Sequence, residues 1–190
     1  MNAKSKILEA AATLFYNDGI AATGIDRIIA KAGVAKMSLY NNFGSKGELI
    51  AAYIRARHNE WLALYHSRLK NASSPRESIL AIFMAYQDHA EFDYDNGFRG
   101  CGLLNAAAEM PANSPGRLAV KRHKDEVHAF ITQHLTEMIS DPASRKDIST
   151  LANHLAFLLE GAISLAGLAS ESDKMTSVYD IAEQLLSPYS

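Results

Sequence analysis

The apolar positions of the chain recur at the three- and four-residue spacing of an α-helix. The first stripe, with Ile7, Ala11 and Leu14, predicts a helix over residues 4–17 that ends before Gly19. No segment alternates strictly between apolar and polar residues, as a strand with one exposed face would. The pattern therefore predicts an all-α fold.

Two short helices separated by a glycine follow the first helix. We expect the earlier one to begin at Thr23, whose hydroxyl would accept from the amide of Asp26 in a capping box, and to end at Gly33. The later one covers residues 36–42 and has Leu39 to place in a core. A short helix, a turn containing glycine and a second short helix form the outline of a helix-turn-helix.

The outward side of that third helix carries side chains that suit DNA. A lysine ammonium and a tyrosine hydroxyl can bind phosphates, and an asparagine amide can pair with the edge of adenine. With the apolar positions directed into the core, four residues remain outside: Lys36, Met37, Tyr40 and Asn41.

A full capping box at Ser45-Lys-Gly-Glu48 opens a long helix over residues 46–69. Lys46 lies in its first turn, where the helix dipole disfavours a cation. A bound phosphate would reverse that penalty, because the amides and the ammonium would then both face an anion. We therefore expect Lys46 to contact phosphate, the alternative being a solvated surface lysine.

Proline, glycine and serine mark the boundaries in the rest of the chain. Ser74-Pro75 places an N-cap before a first-turn proline, which is the usual order at the start of a helix. About nine helices are predicted in all, and those after residue 69 cover residues 75–92, 101–109, 115–140, 145–169 and 174–186.

The composition indicates a globular protein rather than a disordered or membrane-spanning one. Hydrophobic residues make up 48% of the chain and charged residues 21%. The most apolar stretch, residues 155–169, is interrupted by Glu160 and is expected to be too short to cross a bilayer. A single cysteine, Cys101, excludes an internal disulfide framework. We expect a cytoplasmic protein without a signal peptide and without a membrane partner.

The net charge of −2 is unevenly distributed along the chain. Residues 1–58 contain eight basic and four acidic side chains, a balance of +4, whereas the remainder is acidic with a balance of −6. Phosphate binding requires positive charge only on the contacting face. The asymmetry is therefore compatible with a nucleic-acid partner at the N-terminal end.

The N-terminal residues resemble the signature of the TetR family of transcription regulators. The resemblance extends with matching spacing over residues 4–50. Two positions depart from the family pattern: Ala35 stands where relatives often have Ser or Thr as a helix cap, and Asn42 where His or Tyr is common. The segments that carry the resemblance are Ala22-Thr-Gly-Ile-Asp-Arg-Ile-Ile-Ala30, Ala32-Gly-Val34, Leu39-Tyr40, Phe43-Gly-Ser-Lys46 and Glu48-Leu49.

The resemblance implies a domain organisation and a function. Residues 1–48 would form a three-helix DNA-binding domain with a helix-turn-helix, and residues 49–190 a larger helical domain for ligand binding and dimerisation. The protein would bind double-stranded, palindromic operator DNA as a homodimer and leave it when a small-molecule inducer binds. A repressor is favoured over an activator, because occupying an operator requires no contact with polymerase.

Residue roles in DNA binding also follow from the resemblance. Met37 and Asn41 match positions near base edges, although a methionine can simply cover apolar surface. For Tyr40 the alternative is a half-buried packing role. Four residues match positions that commonly meet phosphates: Thr23, Lys36, Tyr40 and Lys46.

The last two helices are the expected dimer interface, as they are in TetR relatives. Small residues among the leucines would allow a close approach of helices, but an ordinary intramolecular core helix has the same periodicity. The predicted apolar face comprises Leu151, Leu155, Leu158, Leu159, Ala162, Ala166 and Gly167, with Ile181, Leu185 and Leu186 on the shorter helix.

Candidate ligand-binding residues are aromatic or polar positions on otherwise apolar helix faces. Core packing is the alternative role for each of them, although a buried imidazole or amide needs a partner. No cofactor is expected, and the seven histidines show no metal-ligand spacing. The candidates are Phe83, Tyr86, Cys101, Asn105, His128 and Phe157, with Phe130 and His154 as further positions.

Three other interpretations remain open at this point. A thiol at a helix N-terminus near Arg99 would be reactive, so Cys101 could sense oxidants or electrophiles, unless it is an inert buried residue. A helical interaction protein that has lost DNA binding would keep the same skeleton. An enzyme is not expected, because the chain has no Gly-rich phosphate loop, nucleophile elbow or paired-carboxylate segment.

Overall fold

The fold is all-α, as the sequence predicts. The computed structural model describes residues 1–92, 95–139, 145–169 and 173–189. These residues form nine α-helices followed by a short 3-10 turn, Ser187–Tyr189, and contain no strand. The helices are α1 (Ala3–Asp18), α2 (Ile25–Ala32), α3 (Lys36–Phe43), α4 (Lys46–Leu69), α5 (Pro75–Ala90), α6 (Gly102–Ala108), α7 (Pro115–Met138), α8 (Arg145–Ala169) and α9 (Asp173–Leu186).

Side-chain caps begin several of the helices. The hydroxyl of Ser45 accepts a hydrogen bond from the amide of Glu48 at 3.1 Å, and that of Ser74 accepts from the amide of Glu77 at 3.2 Å. Ala35 begins α3 without a side-chain cap, which confirms the missing cap that the sequence indicates. Pro75 occupies the first turn of α5.

The predicted start of α2 at Thr23 was wrong. The helix begins at Ile25, and its N-cap, Gly24, has no side chain to offer. The hydroxyl of Thr23 instead donates backwards to the carbonyl of Gly19 at 2.7 Å. Since this bond closes the turn between α1 and α2, Thr23 cannot also form the expected capping box with Asp26.

The chain divides into two compact units. The first comprises Met1–Asn59 and Gly102–Lys121, and within it α1 packs against α2, α3 and α6. Its core contains Ile28 and Leu39, neither of which is exposed to solvent. The assignment of residues 1–48 to DNA binding stays a prediction.

The second unit comprises Glu60–Cys101 and Arg122–Ser190. Its helices α5, α8 and α9 pack against one another. At one point two backbones meet directly: a Cβ atom added to Gly167 would overlap the backbone of Gly100, which has a φ of +81°. Only glycine fits at this approach, because any side chain on Gly167 would separate α8 from the segment before α6.

Helix α8 is apolar on more than one side. The face that the sequence analysis assigned to the dimer, including Leu151, Leu155 and Leu159, is buried inside the chain, so that assignment was wrong for these residues. The opposite side carries Phe157 and Leu168, which are 72% and 85% exposed. Periodicity alone does not distinguish two apolar faces of one helix, because both follow the same 3.6-residue repeat.

By length and composition, α8 also meets the requirement for crossing a membrane. The apolar segment is Asp147–Ala169, with a mean hydropathy of 1.4, and 39% of its most apolar window is buried within the chain. It is longer than the stretch of residues 155–169 considered from the sequence. The core helix of a soluble protein passes the same test, so the property is weak evidence for membrane insertion.

Candidate nucleic-acid interface and interior polar cluster

Helix α3 separates its residues cleanly between core and solvent. Leu39 is fully buried and Phe43 nearly so. On the other side Met37 is 67% and Tyr40 40% exposed. Lys36 and Asn41 are exposed as well. All four residues predicted for the outward side of α3 therefore lie on one accessible face of a short helix.

Lys36 is held by a neighbour from α2. Its ammonium forms an ion pair with the carboxylate of Asp26 at 3.0 Å. This hydrogen bond to Asp26 raises the pKa of Lys36 above its usual value, so the side chain stays charged. Both groups are largely exposed, so water screens the pair and it contributes little to stability. A phosphate could therefore replace Asp26 as the partner of Lys36 at small cost.

The turn between α1 and α2 is fixed by side chains from three places. Thr23 closes it from within, and the ammonium of Lys46 donates to the carbonyl of Ile20 at 2.7 Å. The carboxylate of Glu109, just after α6, accepts from the amides of Ile20 and Ala21 at 2.9 and 2.7 Å. All these residues belong to the first compact unit.

Two of the residues predicted to contact phosphates thus form hydrogen bonds within this unit. Thr23 is fully buried, and its hydroxyl points into the α1–α2 turn. The expectation of a phosphate contact from that side chain is therefore corrected. Lys46 is half-buried. An ammonium has three donors, so its bond to Ile20 leaves capacity for a phosphate.

The residues predicted to bind a ligand do not form one group. Phe83, Tyr86 and Cys101 are buried in the second unit, whereas Asn105 lies on α6 in the first. The imidazole of His128 is 3.0 Å from the amide oxygen of Asn153, which satisfies it between α7 and α8. Phe157, as described above, faces solvent and cannot line an interior site.

A charged pair lies where Tyr86 meets α7 and α8. The ammonium of Lys124 contacts both carboxylate oxygens of Glu160, at 2.7 and 2.9 Å, and the hydroxyl of Tyr86 at 3.1 Å. That hydroxyl donates in turn to Glu160 at 3.0 Å. All donors of the ammonium are therefore satisfied, as a poorly solvated charge requires.

The surroundings of this pair shift the pKa values of its members. Burial opposes the charged form of Lys124, but Cys101, Tyr86 and Glu160 outweigh it, and the pKa of Lys124 lies above its usual value. Burial also raises the pKa of Tyr86. Lys124 therefore stays protonated and Tyr86 neutral across the physiological pH range.

An aromatic cluster adjoins the charged pair through Tyr86. We define it as Trp61, Tyr65, Tyr86, His123 and Phe130. The ring of Trp61 stacks on that of Tyr65 with centroids 5.5 Å apart and meets the edge of Tyr86 at 5.7 Å. The indole Nε1 of Trp61 is buried and has no hydrogen-bond partner among the described residues. Because buried donors are nearly always paired, this one indicates a place for an acceptor.

A chain of hydrogen bonds joins Tyr65 of this cluster to two residues of α7. The hydroxyl of Tyr65 is 2.7 Å from Nε2 of His134, whose Nδ1 is 3.1 Å from the carboxylate of Glu137. Burial, with a smaller effect of Glu137, raises the pKa of Tyr65 to about 12. The hydroxyl of Tyr65 is thus already paired, unlike the indole N–H of Trp61.

The sequence and the fold of this chain are both similar to those of one family of known proteins. Residues 7–53 match the family model described as bacterial regulatory proteins, tetR family. The solved structure of a TetR-family transcriptional regulator from Streptomyces coelicolor is 28% identical, with a TM-score of 0.86, and the match covers 98% of this chain and 95% of that one. The chain belongs to the TetR family.

Two curated relatives of this TetR-family chain match over shorter lengths. The transcriptional repressor KstR2 of Mycolicibacterium smegmatis is 33% identical over 82 residues, which is 43% of this chain and 40% of that protein. The transcriptional activator FasR of the same organism is 31% identical over 130 residues, 68% of this chain and 59% of that protein. The chain therefore aligns with only about half the length of these relatives.

Sequence reasoning missed the contacts of three residues of this TetR-family chain: Trp61, Glu109 and Lys124. Trp61 is one of several apolar positions along α4, and Glu109 was predicted only as the last residue of the helix over residues 101–109. Lys124 interrupts a stripe that otherwise reads Val120, Val127 and Ile131, which is a signal that the sequence offered. For Glu109 no local signal exists, because its partners, Ile20 and Ala21, lie 89 and 88 residues away and contribute only backbone amides.

Proposed function

We propose that this TetR-family protein is a transcriptional repressor that inserts α3 into the major groove of operator DNA. The observation that carries the proposal is the outward face of α3. An ammonium, a hydroxyl and an amide are exposed there, with a core residue, Leu39, directly behind them. Lys36 and Tyr40 are the proposed phosphate contacts on α3, and Lys46 at the start of α4 is a third. Met37 and Asn41 are the residues nearest to base edges.

The proposal includes a homodimer, because one short recognition helix reads few base pairs whereas a two-fold dimer reads two half-sites. The exposed side of α8 supports it. Phe157, Leu165 and Leu168 follow one another at helical spacing on that side, each more than half exposed, and Gly161 between them leaves room for close approach. Ile181 on α9 adds a further exposed apolar residue. Such a contiguous patch favours a protein partner.

Release from DNA by a small molecule is the third part of the proposal. The aromatic cluster offers flat apolar surfaces, and the unpaired Nε1 of Trp61 offers one donor. An uncharged planar aromatic compound with a carbonyl oxygen would satisfy both. A ligand of this kind shifts the protein away from its DNA-binding form only if it binds the other form better.

The DNA-binding proposal is tested with Tyr40→Ala. Affinity for the DNA flanking the protein's own gene should fall about tenfold, the value of roughly one hydrogen bond to an ionised group. Lys46→Ala should weaken binding to all sequences and reduce the salt slope by about 1, because one fewer counterion is released. Fluorescence anisotropy titrations across a range of salt concentrations measure both effects.

Tyr189→Ala is the matched control, since Tyr189 is 38% exposed against 40% for Tyr40 but lies at the other end of the chain. Wild-type affinity in Tyr189→Ala together with loss in Tyr40→Ala supports the proposal. Equal affinity in all three proteins contradicts the assignment of α3. No binding at any salt concentration by a folded, ligand-free dimer points instead to a helical interaction protein that has lost DNA binding.

The inducer site can be followed through Trp61, the only tryptophan in the chain. A planar aromatic ketone such as flavone should change the emission of Trp61 and release the DNA over the same concentration range. Trp61→Phe keeps the ring but removes the donor, and calorimetry should then show about fivefold to tenfold weaker binding. A compound that releases the DNA without any change in Trp61 emission would place the inducer elsewhere.

A further inference from the structure

The α1–α2 turn contains a peptide group that is bonded on both sides by side chains of opposite charge. The carbonyl of Ile20 and the amide of Ala21 belong to the same peptide. Lys46 donates to that carbonyl at 2.7 Å, and Glu109 accepts from that amide at 2.7 Å. The second oxygen of Glu109 accepts from the preceding amide, that of Ile20, at 2.9 Å. The result is a continuous chain from an ammonium through a peptide to a carboxylate.

Such a chain is stronger than its separate bonds. A carboxylate on the N–H side polarises the peptide and makes its carbonyl a better acceptor, so the bond from Lys46 is reinforced by Glu109. Shortening the carboxylate or removing its charge would weaken both bonds. The position of the Lys46 ammonium therefore depends on a residue that is 63 positions away in the sequence.

Backbone geometry shows that the turn is built around this carboxylate. Gly19 has a φ of +90°, and a Cβ atom added there would come within 2.8 Å of the nearer oxygen of Glu109. A side chain at Gly19 would therefore both strain the backbone and displace the carboxylate. The hydroxyl of Thr23 binds the Gly19 carbonyl, so the turn is constrained immediately before α2 begins.

We propose that Glu109 is a positioning residue for DNA binding, which acts through the Ile20–Ala21 peptide to hold Lys46 where it meets a phosphate. The inference rests on the proposed function, because the phosphate contact of Lys46 is part of it. Glu109 itself does not touch DNA in this arrangement. Because a carboxylate near DNA is normally repelled by the phosphates, the proposal requires its effect on Lys46 to exceed that repulsion.

The experiment compares Glu109→Gln with Glu9→Gln. Both remove one negative charge from the first compact unit, and Glu9 is an exposed residue of α1. Loss of charge alone strengthens DNA binding in both variants. We expect Glu109→Gln to bind the flanking DNA about tenfold more weakly than Glu9→Gln, the equivalent of one charge-assisted hydrogen bond. Glu109→Asp, which keeps the charge but is one methylene shorter, should show a similar loss.

A double-mutant cycle with Lys46→Ala separates positioning from general destabilisation. In the Lys46→Ala background, Glu109→Gln should have no further effect beyond that of Glu9→Gln. An equal loss in both backgrounds overturns the inference, because Glu109 would then act independently of Lys46.

Amide exchange measured by NMR gives a reading that does not depend on DNA. The amides of Ile20 and Ala21 should exchange at least about tenfold faster in Glu109→Gln than in the wild type. Unchanged exchange overturns the inference even if the wild type binds DNA normally. Faster exchange in a protein that binds no DNA at any salt concentration would overturn the proposed function, and with it the role of Glu109 in DNA binding.

Discussion

Replacing Phe157 by glutamate is expected to leave the protein monomeric and to abolish operator binding. Phe157 lies on the exposed apolar side of α8, and in a two-fold dimer the substitution would occur twice. Each unpaired carboxylate buried in an interface costs several kcal/mol. The dimer dissociation constant should therefore rise at least about a thousandfold. Sedimentation velocity over a range of protein concentrations measures the change directly.

Leu118→Glu provides the control, because Leu118 is also an exposed apolar residue, but it belongs to the first compact unit and not to the exposed side of α8. That variant should sediment like the wild type. Circular dichroism of both variants establishes that they remain folded. If Phe157→Glu stays dimeric, the exposed side of α8 is not the interface, and the dimer must form through another surface.

The second large effect is expected at the Lys124–Glu160 pair. Glu160→Ala leaves the ammonium of Lys124 without its carboxylate in a poorly solvated position, where its side chain is only 18% exposed. Breaking a buried pair in this way costs about 3 kcal/mol or more of unfolding free energy. For a chain of this size the melting temperature should fall by about 10 °C. Calorimetry at neutral pH measures both quantities.

The double variant Lys124→Met, Glu160→Leu should recover most of that stability, because no unpaired charge remains. Recovery of stability in the double variant would show that the Lys124–Glu160 pair is not needed for stability. Because the pKa of Lys124 is raised on folding, the stability that comes from its protonated form is fully present below its unfolded value of about 10 and is lost as the pH rises through the folded value. Equal stability of Glu160→Ala and the wild type at pH 7 would contradict this account.

The sequence predicted the helices well because their boundaries are set by local chemistry. Gly33 and Gly44 end α2 and α3 with positive φ angles, and Pro75 starts α5. These residues act over one turn of chain, which a sequence pattern can read. The exposed face of α3 could be predicted for the same reason, since burial of Leu39 determines which side of an eight-residue helix faces solvent.

The errors arose where a residue had two possible partners at different distances along the chain. Thr23 could cap α2 or close the turn behind it, and the carbonyl of Gly19 is the partner it has. Leu155 and Phe157 lie on opposite sides of one apolar helix, and only the packing of α5 and α9 decides which side is internal. The local sequence pattern shows neither the partner of Thr23 nor the buried side of α8.

The polar interactions within the two compact units were the hardest to predict. Lys124 and Glu160 lie on different helices, and Glu109 binds backbone amides that have no side-chain identity. Each requires the tertiary fold before its partner can be named. The sequence showed only that a charge interrupted an apolar stripe, at Lys124 and at Glu160.

A dimer formed through the exposed apolar side of α8, as proposed, would have a consequence for gene dosage. A protein that binds its operator only as a pair of chains follows mass action, so at low abundance the amount of active species rises with the square of the number of chains made. Halving synthesis would then cut occupancy of the operator by up to about fourfold. Phe157 and its neighbours would thus turn a gradual change in expression into a sharper change in repression.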